Sequence, residues 1–368
     1  MKILKFIKKI IPNFILRILR FLRDMIPDSV KYYGKAKKAY NTLDSKKKMC
    51  TPEKLVFLLL TPEHGNYGDH AIAYKELELL SKYDVVEITG TQLHSLLIFP
   101  SKIKSLISNY PILFNGGGNF GTLWFDIELD IRKTFDLFSN NKIIVFPQTI
   151  YYENNDFGNK EFENSKKIYN SCQHLILTAR EKVSYDIMKS AYDNVYLIPD
   201  MVLFLNMCSD ENIREGAMFL LRNDVEKTMS DDYRNKVTSF IKSKFNSVYY
   251  SDMFSERAIS PYKRNTELFK KFDEFKSKKL VLTDRLHGMI FSAITGTPCI
   301  VLNSKSHKLK SVYDCWLKNC EYIIFTDSFD EMKDFIESIV NGNYEYDNSH
   351  LLQYYNQLKD IIDKELQE

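Results

Sequence analysis

From residue 54 onward, short apolar runs alternate with stretches whose apolar residues recur at helical spacing. The runs are LVFLLL (55–60), YDVVEIT (83–89), PILFN (111–115), KIIVF (142–146), HLILT (174–178) and VYLIP (195–199). Continuous apolar runs of this length suit strands covered on both faces, and helices between them act as the crossovers that a parallel sheet requires. A polar stretch, NMCSDENIREG (206–216), interrupts the pattern. It restarts with AMFLLR (217–222), SVYYSD (247–252), KLVLTD (279–284), CIVLN (299–303) and YIIFT (322–326). This predicts an α/β chain of two doubly wound parallel sheets facing a cleft, a first domain over 51–205 and a second over 206–347. The apolar spacing from Asn348 to Leu366 predicts a terminal helix within 348–368 that crosses back to the first domain.

Residues 1–50 depart from this alternation. At about 100° per residue, Lys2, Lys5, Lys9, Arg20 and Arg23 fall on one side of a helix, and Ile3, Ile7, Ile10, Phe14, Ile18, Phe21 and Leu22 on the other. Arg17 and Arg20 interrupt any run long enough to span a bilayer, and no uninterrupted apolar core leads to a small-residue cleavage site. The segment 1–24 is therefore expected to lie in the interface of an anionic membrane, or else to dock on its own protein or a partner.

Composition adds exclusions. A chain of 368 residues has room for two domains, and a formal net charge of +3 gives no case for a nucleic-acid partner. The six cysteines (Cys50, Cys172, Cys208, Cys299, Cys315, Cys320) are scattered without zinc-type spacing, as expected for thiols in a reducing compartment.

The candidate chemistry follows the strands directly. TPEHGNYGDHAI (61–72), NGGGNFGTLW (115–124), FPQTI (146–150), TARE (178–181), IPDM (198–201), LLRND (220–224) and TDRLHG (283–288) each succeed an apolar run. In open parallel sheets such segments gather at the carboxyl edge, where ligands bind. Arg180, Arg222, Arg285 and His287 favour an anion there, while Asn66, Asp69, Asn119 and Gln148 offer hydrogen bonds to hydroxyl groups. No lysine-bearing phosphate loop follows a strand, the first strand lacks a dinucleotide fingerprint, and Asp69, Asp200 and Asp284 show no metal-ligand spacing. A metal-free anion pocket facing a polyol is the expectation.

The stretch LTDRLHGMIFSAITGTPCIVLNS (282–304) is the densest part of this edge. It reads as strand, turn, helix, turn and strand, with Asp284 expected to cap the helix and Gly296 with Pro298 to end it. Arg285 brings a bidentate fork and His287 a proton that moves near neutral pH. As an isolated pair they also fit a surface arginine and a satisfied core histidine.

The strings GNYGDHAI, NGGGNFG.LW, FPQTI, ARE..S (Ala179 to Ser184), IPD and DRLHG......G.P occur in this order between residues 61 and 303. Together they resemble the polysaccharide pyruvyl transferase family. The resemblance implies two Rossmann-like domains in a GT-B-like arrangement, with an acceptor side over 51–205 and a donor side over 206–347. It implies transfer of the carboxyvinyl group of phosphoenolpyruvate to two hydroxyls of a lipid-linked sugar, forming a pyruvate ketal without a cofactor. Carried over, the motif arginine and histidine fall on Arg285 and His287, the expected catalytic pair, and the arginine of RE..S falls on Arg180. Donor contacts are expected from Arg180, Arg222, Arg285, Leu286, His287, Asn303 and Ser304, and acceptor contacts from Asn66, Asp69, Asn119 and Gln148. The resemblance further implies a cytoplasmic, peripheral protein on the inner face of a bacterial membrane. Thr122 stands where many members have an aspartate, and Thr149 where a serine is common. A glycosyltransferase of the same build using a nucleotide sugar and a non-catalytic carbohydrate-binding subunit are the other readings.

Overall fold

A computed structural model of the chain describes residues 27–208, 213–222, 230–304, 307–339 and 342–367. The basic amphipathic segment expected at 1–24 lies outside them. The first sheet holds β1 (Leu55–Thr61), β2 (Asp84–Thr89), β3 (Ile112–Phe114), β4 (Gly117–Gly121), β5 (Lys142–Tyr151), β6 (His174–Ala179) and β7 (Val195–Leu197). Its order is β2-β1-β3-β5-β6-β7, with β4 along the end of β5, and every pairing is parallel. The second sheet, also wholly parallel, runs β12-β11-β10-β8-β9 from β8 (Ala217–Leu220), β9 (Val248–Tyr250), β10 (Leu280–Thr283), β11 (Cys299–Val301) and β12 (Ile323–Phe325). The doubly wound two-sheet reading therefore holds.

The helices between strands are α1 (Asp28–Lys47), α2 (Tyr67–Leu79), α3 (Gly90–Leu97), α4 (Pro100–Ile107), α5 (Phe125–Leu137), α6 (Asp156–Tyr169) and α7 (Lys182–Ala191) around the first sheet. Around the second lie α8 (Asp231–Lys244), α9 (Arg264–Lys276), α10 (Leu286–Ile294), α11 (His307–Val312) and α12 (Phe329–Ile339), followed by α13 (Leu352–Gln367). Strand β1 shows how burial sorts its residues. Leu55, Phe57 and Leu59 enter a core on one face of the first sheet, while Val56 and Leu58 enter a second core that continues through the whole second domain. Helix α1 buries Ala36, Ala39 and Leu43 and packs on α3 and α4.

One strand was not legible in the hydrophobic pattern. The glycine-rich string becomes β4, and β5 runs through FPQTI to Tyr151. Two features permit this. The β5–β6 register shifts between Val145 and Gln148, and Gly121 sits at φ +100°, where a Cβ would come within 1.9 Å of the Tyr151 carbonyl oxygen.

Contacts at three levels fix the two domains against each other. The Tyr67 amide donates to Met253 O (2.9 Å), the Ser255 amide to Gly65 O (2.8 Å), and Asn66 forms a β-bridge with Phe254. Arg264 on α9, only 2% exposed, ion-pairs with Glu87 on β2 at 2.5 Å. Helix α13 crosses back to the first domain, where Asp363 pairs with Lys82 at 2.5 Å and Lys142 Nζ donates to Glu365 O. No helix among the described residues is long and apolar enough to cross a membrane.

Breaking the Arg264–Glu87 pair tests this arrangement. Arg264→Ala leaves the Glu87 carboxylate without its partner and should cost about 2 to 3 kcal/mol in urea unfolding. A loss below about 0.5 kcal/mol would mean that the pair adds nothing to domain packing.

Candidate functional site

The carboxyl edges of both sheets meet where α2, α10 and the short helix Met201–Phe204 pack together. Asp200, fully buried, stands at this junction just past β7. Its Oδ1 accepts from the Val202 amide at 3.0 Å, and its Oδ2 accepts from Arg180 Nη1 at 2.8 Å. His287 Nε2, buried without a hydrogen-bond partner, lies 3.5 Å from the same Oδ2. That separation suits an ion pair with a protonated ring, though the two atoms are not aligned for a hydrogen bond. Burial pushes the Asp200 carboxyl up, but His287, Arg180 and the Val202 amide outweigh it and hold it well below the usual carboxylate range. The group is an anion at any ordinary pH.

Arg180 is held on its other edge, where Nε donates to Thr149 Oγ1 at 2.8 Å. Its backbone is clamped as well, since its carbonyl accepts from Trp316 Nε1 of the second domain at 2.7 Å. Beside it, Gly118 comes so close that a Cβ would lie 3.2 Å from Arg180 Nη2. Gln148 is fully buried, and its amide is used internally: Oε1 accepts from the Asn119 amide and Nε2 donates to Asn115 O. It orients the glycine loop instead of lining a surface. Asn66 caps α2 by accepting from the Gly68 amide at 3.0 Å, and half-buried Asp69 lies 3.6 Å from His64 Nε2.

A second carboxyl under the same loop has the opposite fate. Glu76, fully buried on α2, accepts from the Gly116 amide at 2.8 Å, and burial raises its carboxyl well above the ordinary range. Burial thus opposes the charge on Glu76, whereas the partners of Asp200 favour its charge. His70 on the same helix meets the His64 carbonyl through Nε2 at 2.7 Å, and burial pulls its ring down to about 4.

On the second domain, the expected cap is corrected. Asp284 does not cap α10, because its carboxylate accepts from the Arg222 amide at 2.9 and 3.2 Å across the strand ends. Arg285 occupies the cap position, its amide donates to Thr283 Oγ1, and its Nη2 lies 3.5 Å from Asp252 Oδ1. Leu286 and His287 form the first turn, so His287 reaches Asp200 from the start of a helix in the opposite domain. Asn303 is exposed, its amide donating to Asp327 Oδ1, and its side chain accepts from the amide of buried Ser304. Arg180 and His287 thus meet at Asp200, Arg285 and Leu286 adjoin His287 at the start of α10, and the Arg222 and Asn303 amides, just past β8 and β11, are tied to Asp284 and Asp327.

A family model described as polysaccharide pyruvyl transferase matches residues 66–306, a span that contains Arg180, Asp200, Arg285 and His287. The chain belongs to the polysaccharide pyruvyl transferase family. General stress protein 30 of Bacillus subtilis (strain 168) is 35% identical over 285 residues, covering 76% of this chain and 82% of that one. Pyruvyl transferase 1 of Schizosaccharomyces pombe is 28% identical over 302 residues, 73% of this chain and 71% of the other. Among solved structures, the UDP-GlcNAc 2-epimerase of Methanocaldococcus jannaschii matches with a TM-score of 0.50 over 84% of this chain and 99% of its own. At 12% identity that likeness is one of fold.

The chain is accordingly a pyruvyl-transferring enzyme, and its site includes residues to which the sequence alone assigned no role. Asp200, Thr149 and Gly68 carry no periodicity that announces a role. A Cβ on Gly68 would lie 2.0 Å from His287 Nδ1, so the imidazole of this pyruvyl transferase occupies the space that any other residue at 68 would fill. His307, also unremarked in the sequence, stacks on Tyr151 with ring centroids 6.3 Å apart and brings Nε2 within 3.9 Å of Glu181 Oε1.

Gly68→Ala should push the His287 ring aside, lowering turnover at least tenfold while far-ultraviolet dichroism stays native. Unchanged turnover would show that the ring's seat on Gly68 is not needed. His70 predicts a pH dependence of stability. The unfolded ring takes up a proton near 6.5 and the folded ring only near 4, so the benefit of holding it neutral is complete above about 6.5 and lost as pH falls toward 4. The loss should reach at most about 3 kcal/mol. In His70→Gln, urea midpoints between pH 7 and 4.5 should fall less than in the parent; equal slopes would assign the acid loss elsewhere.

Proposed function

We propose that this enzyme transfers the carboxyvinyl group of phosphoenolpyruvate to two hydroxyls of one sugar, giving a pyruvate ketal and free phosphate. The observation that carries the reading is the imidazole of His287 seated between the two domains beside a permanently charged Asp200. The donor has a carboxylate and a phosphate, and an arginine at a helix start offers charge and amides to such groups. Arg285 exchanges its long contact with Asp252 for the donor. His287 delivers a proton to the methylene carbon, which makes C2 electrophilic. One sugar hydroxyl adds to C2, phosphate departs with the proton that hydroxyl releases, and a second hydroxyl closes the ketal, its proton restoring the acid. Asp200 stabilises the protonated ring and sets its orientation. Asn66, Asp69 and Asn119 face the acceptor from the first domain. The acceptor in this reading is a lipid-linked oligosaccharide at the inner face of a bacterial membrane, approached through the basic segment 1–24, whose charge pattern supports it.

The test is incubation with phosphoenolpyruvate and lipid-linked oligosaccharides, measuring phosphate release and a product heavier by one pyruvate less one water. His287→Gln should lower turnover on the order of a hundredfold or more while keeping donor affinity. Arg285→Ala should weaken donor binding by about 1.5 to 3 kcal/mol, and Arg285→Lys should restore only part of it. Parent-like turnover of His287→Gln across neutral pH, or unchanged donor affinity of Arg285→Ala by calorimetry, would remove these roles.

A further inference from the structure

Beyond the reacting centre, the first domain presents an exposed aromatic face continuous with the glycine loop. The chain has two tryptophans, and they differ sharply: Trp316 is 8% exposed and hydrogen-bonded to the Arg180 carbonyl, whereas Trp124 is 58% exposed. Leu123 (41%) and Phe157 (45%) are exposed alongside it. We propose that this face is a saccharide-binding subsite, where the indole of Trp124 stacks on a pyranose ring of the acceptor glycan beyond the sugar that is pyruvylated. The proposal rests on the preceding reading only in naming that glycan as the acceptor.

Four observations support a sugar as the occupant. The first is rigidity. Trp124 is the cap residue of α5, with its carbonyl accepting from the Ile127 amide at 2.9 Å, and the adjoining Phe125 packs edge-on against Phe157 (5.2 Å) with the Arg132 guanidinium over its ring (5.5 Å). A large aromatic side chain with few rotatable bonds, on a fixed backbone, binds with little loss of side-chain entropy. The second is continuity with the site. Strand β4 runs from Gly118, beside Arg180, to Gly121, and the Thr122 amide then donates to Tyr151 O at 2.8 Å while Thr122 Oγ1 accepts from the Glu153 amide at 3.0 Å. Trp124 lies six positions beyond Gly118, at most about 20 Å of extended chain, which an oligosaccharide spans and a monosaccharide does not.

The third is the rim. Segments 122–128 and 153–157 expose Asp126, Glu153 and Asp156 and contain no lysine or arginine. That charge repels a phosphate or an anionic lipid surface, while Asp126, Glu153, Asn154, Asn155 and Asp156, all exposed, supply the acceptors and amides that sugar hydroxyls use. The fourth is the mixture itself. A pyranose has an apolar C–H face and a polar edge, and an exposed aromatic ring with a hydrogen-bonding rim matches both.

The experiment has two arms. Iodide quenching of tryptophan fluorescence reads Trp124 selectively because Trp316 is buried. Cellobiose, lactose and N,N′-diacetylchitobiose, titrated without phosphoenolpyruvate, and the glycan that gains mass in the transfer assay should each be compared. At least one should shield the quenchable tryptophan in the parent and produce no change in Trp124→Phe. In steady-state kinetics, Trp124→Ala should raise KM for the oligosaccharide acceptor about tenfold, leaving kcat and the KM for phosphoenolpyruvate within about twofold, and Trp124→Phe should recover most of the loss. Absence of shielding by every saccharide, or an unchanged acceptor KM in Trp124→Ala, overturns the subsite. Failure of pyruvyl transfer with shielding intact would overturn the reaction assigned above and leave the subsite standing.

Discussion

The structure depends on one buried anion. Asp200 sits where three elements from two domains converge, and its charge is shared by Arg180 beyond β6, the Val202 amide and His287 at the start of α10. Placing a carboxylate in a fully buried position costs several kcal/mol unless cations and donors surround it. Here they come from both sheets, so the first domain's edge is complete only when α10 of the second is in place. The same arrangement that offsets the burial of Asp200 also leaves the His287 imidazole facing a fixed negative charge. Stability and chemistry share a single contact.

Close backbone approach makes that contact possible. At Gly68 the imidazole lies where a side chain would be, and at Gly118 the loop lies directly against the arginine's fork. Glu76 below the loop, pushed up, and Asp200 beside it, held down, show that burial alone does not set a carboxyl's pKa. Glu76 has the Gly116 amide and the charge of Arg264 to set against desolvation and the neighbouring carboxylates, while Asp200 has an amide, a guanidinium and an imidazole. The site therefore places a fixed charge at the domain junction, near a second buried carboxyl whose ionisation burial opposes.

Most of this architecture was legible in the order of apolar runs, because parallel strands buried on both faces leave long unbroken hydrophobic strings. Strand β4 was hidden because its residues are glycines, an asparagine and one phenylalanine held by pairing with β5, with no hydrophobic run of its own. Arg285 and His287 were visible as charged residues at an apolar strand end. Asp200 was visible as an aspartate after a strand, but its pairing joins positions 20 and 87 residues apart, across a domain boundary, and no local spacing encodes that. Asp284 was misread for a related reason: its carboxylate had a closer donor in the Arg222 amide, 62 residues away, than in its own helix. Gln148 looked like a ligand-facing amide, and only the fold shows it turned inward.

The central claim is that donor chemistry takes place against the Arg285–His287 turn beside Asp200. The most direct measurement is a crystal structure of the full chain with phosphoenolpyruvate bound. The account predicts one anionic end of the donor within hydrogen-bonding distance of the Arg285 guanidinium, the His287 ring within reach of the methylene carbon, and the Asp200–Arg180 pair intact. An ordered donor bound elsewhere, with Arg285 still turned to Asp252 and His287 unengaged, would contradict it.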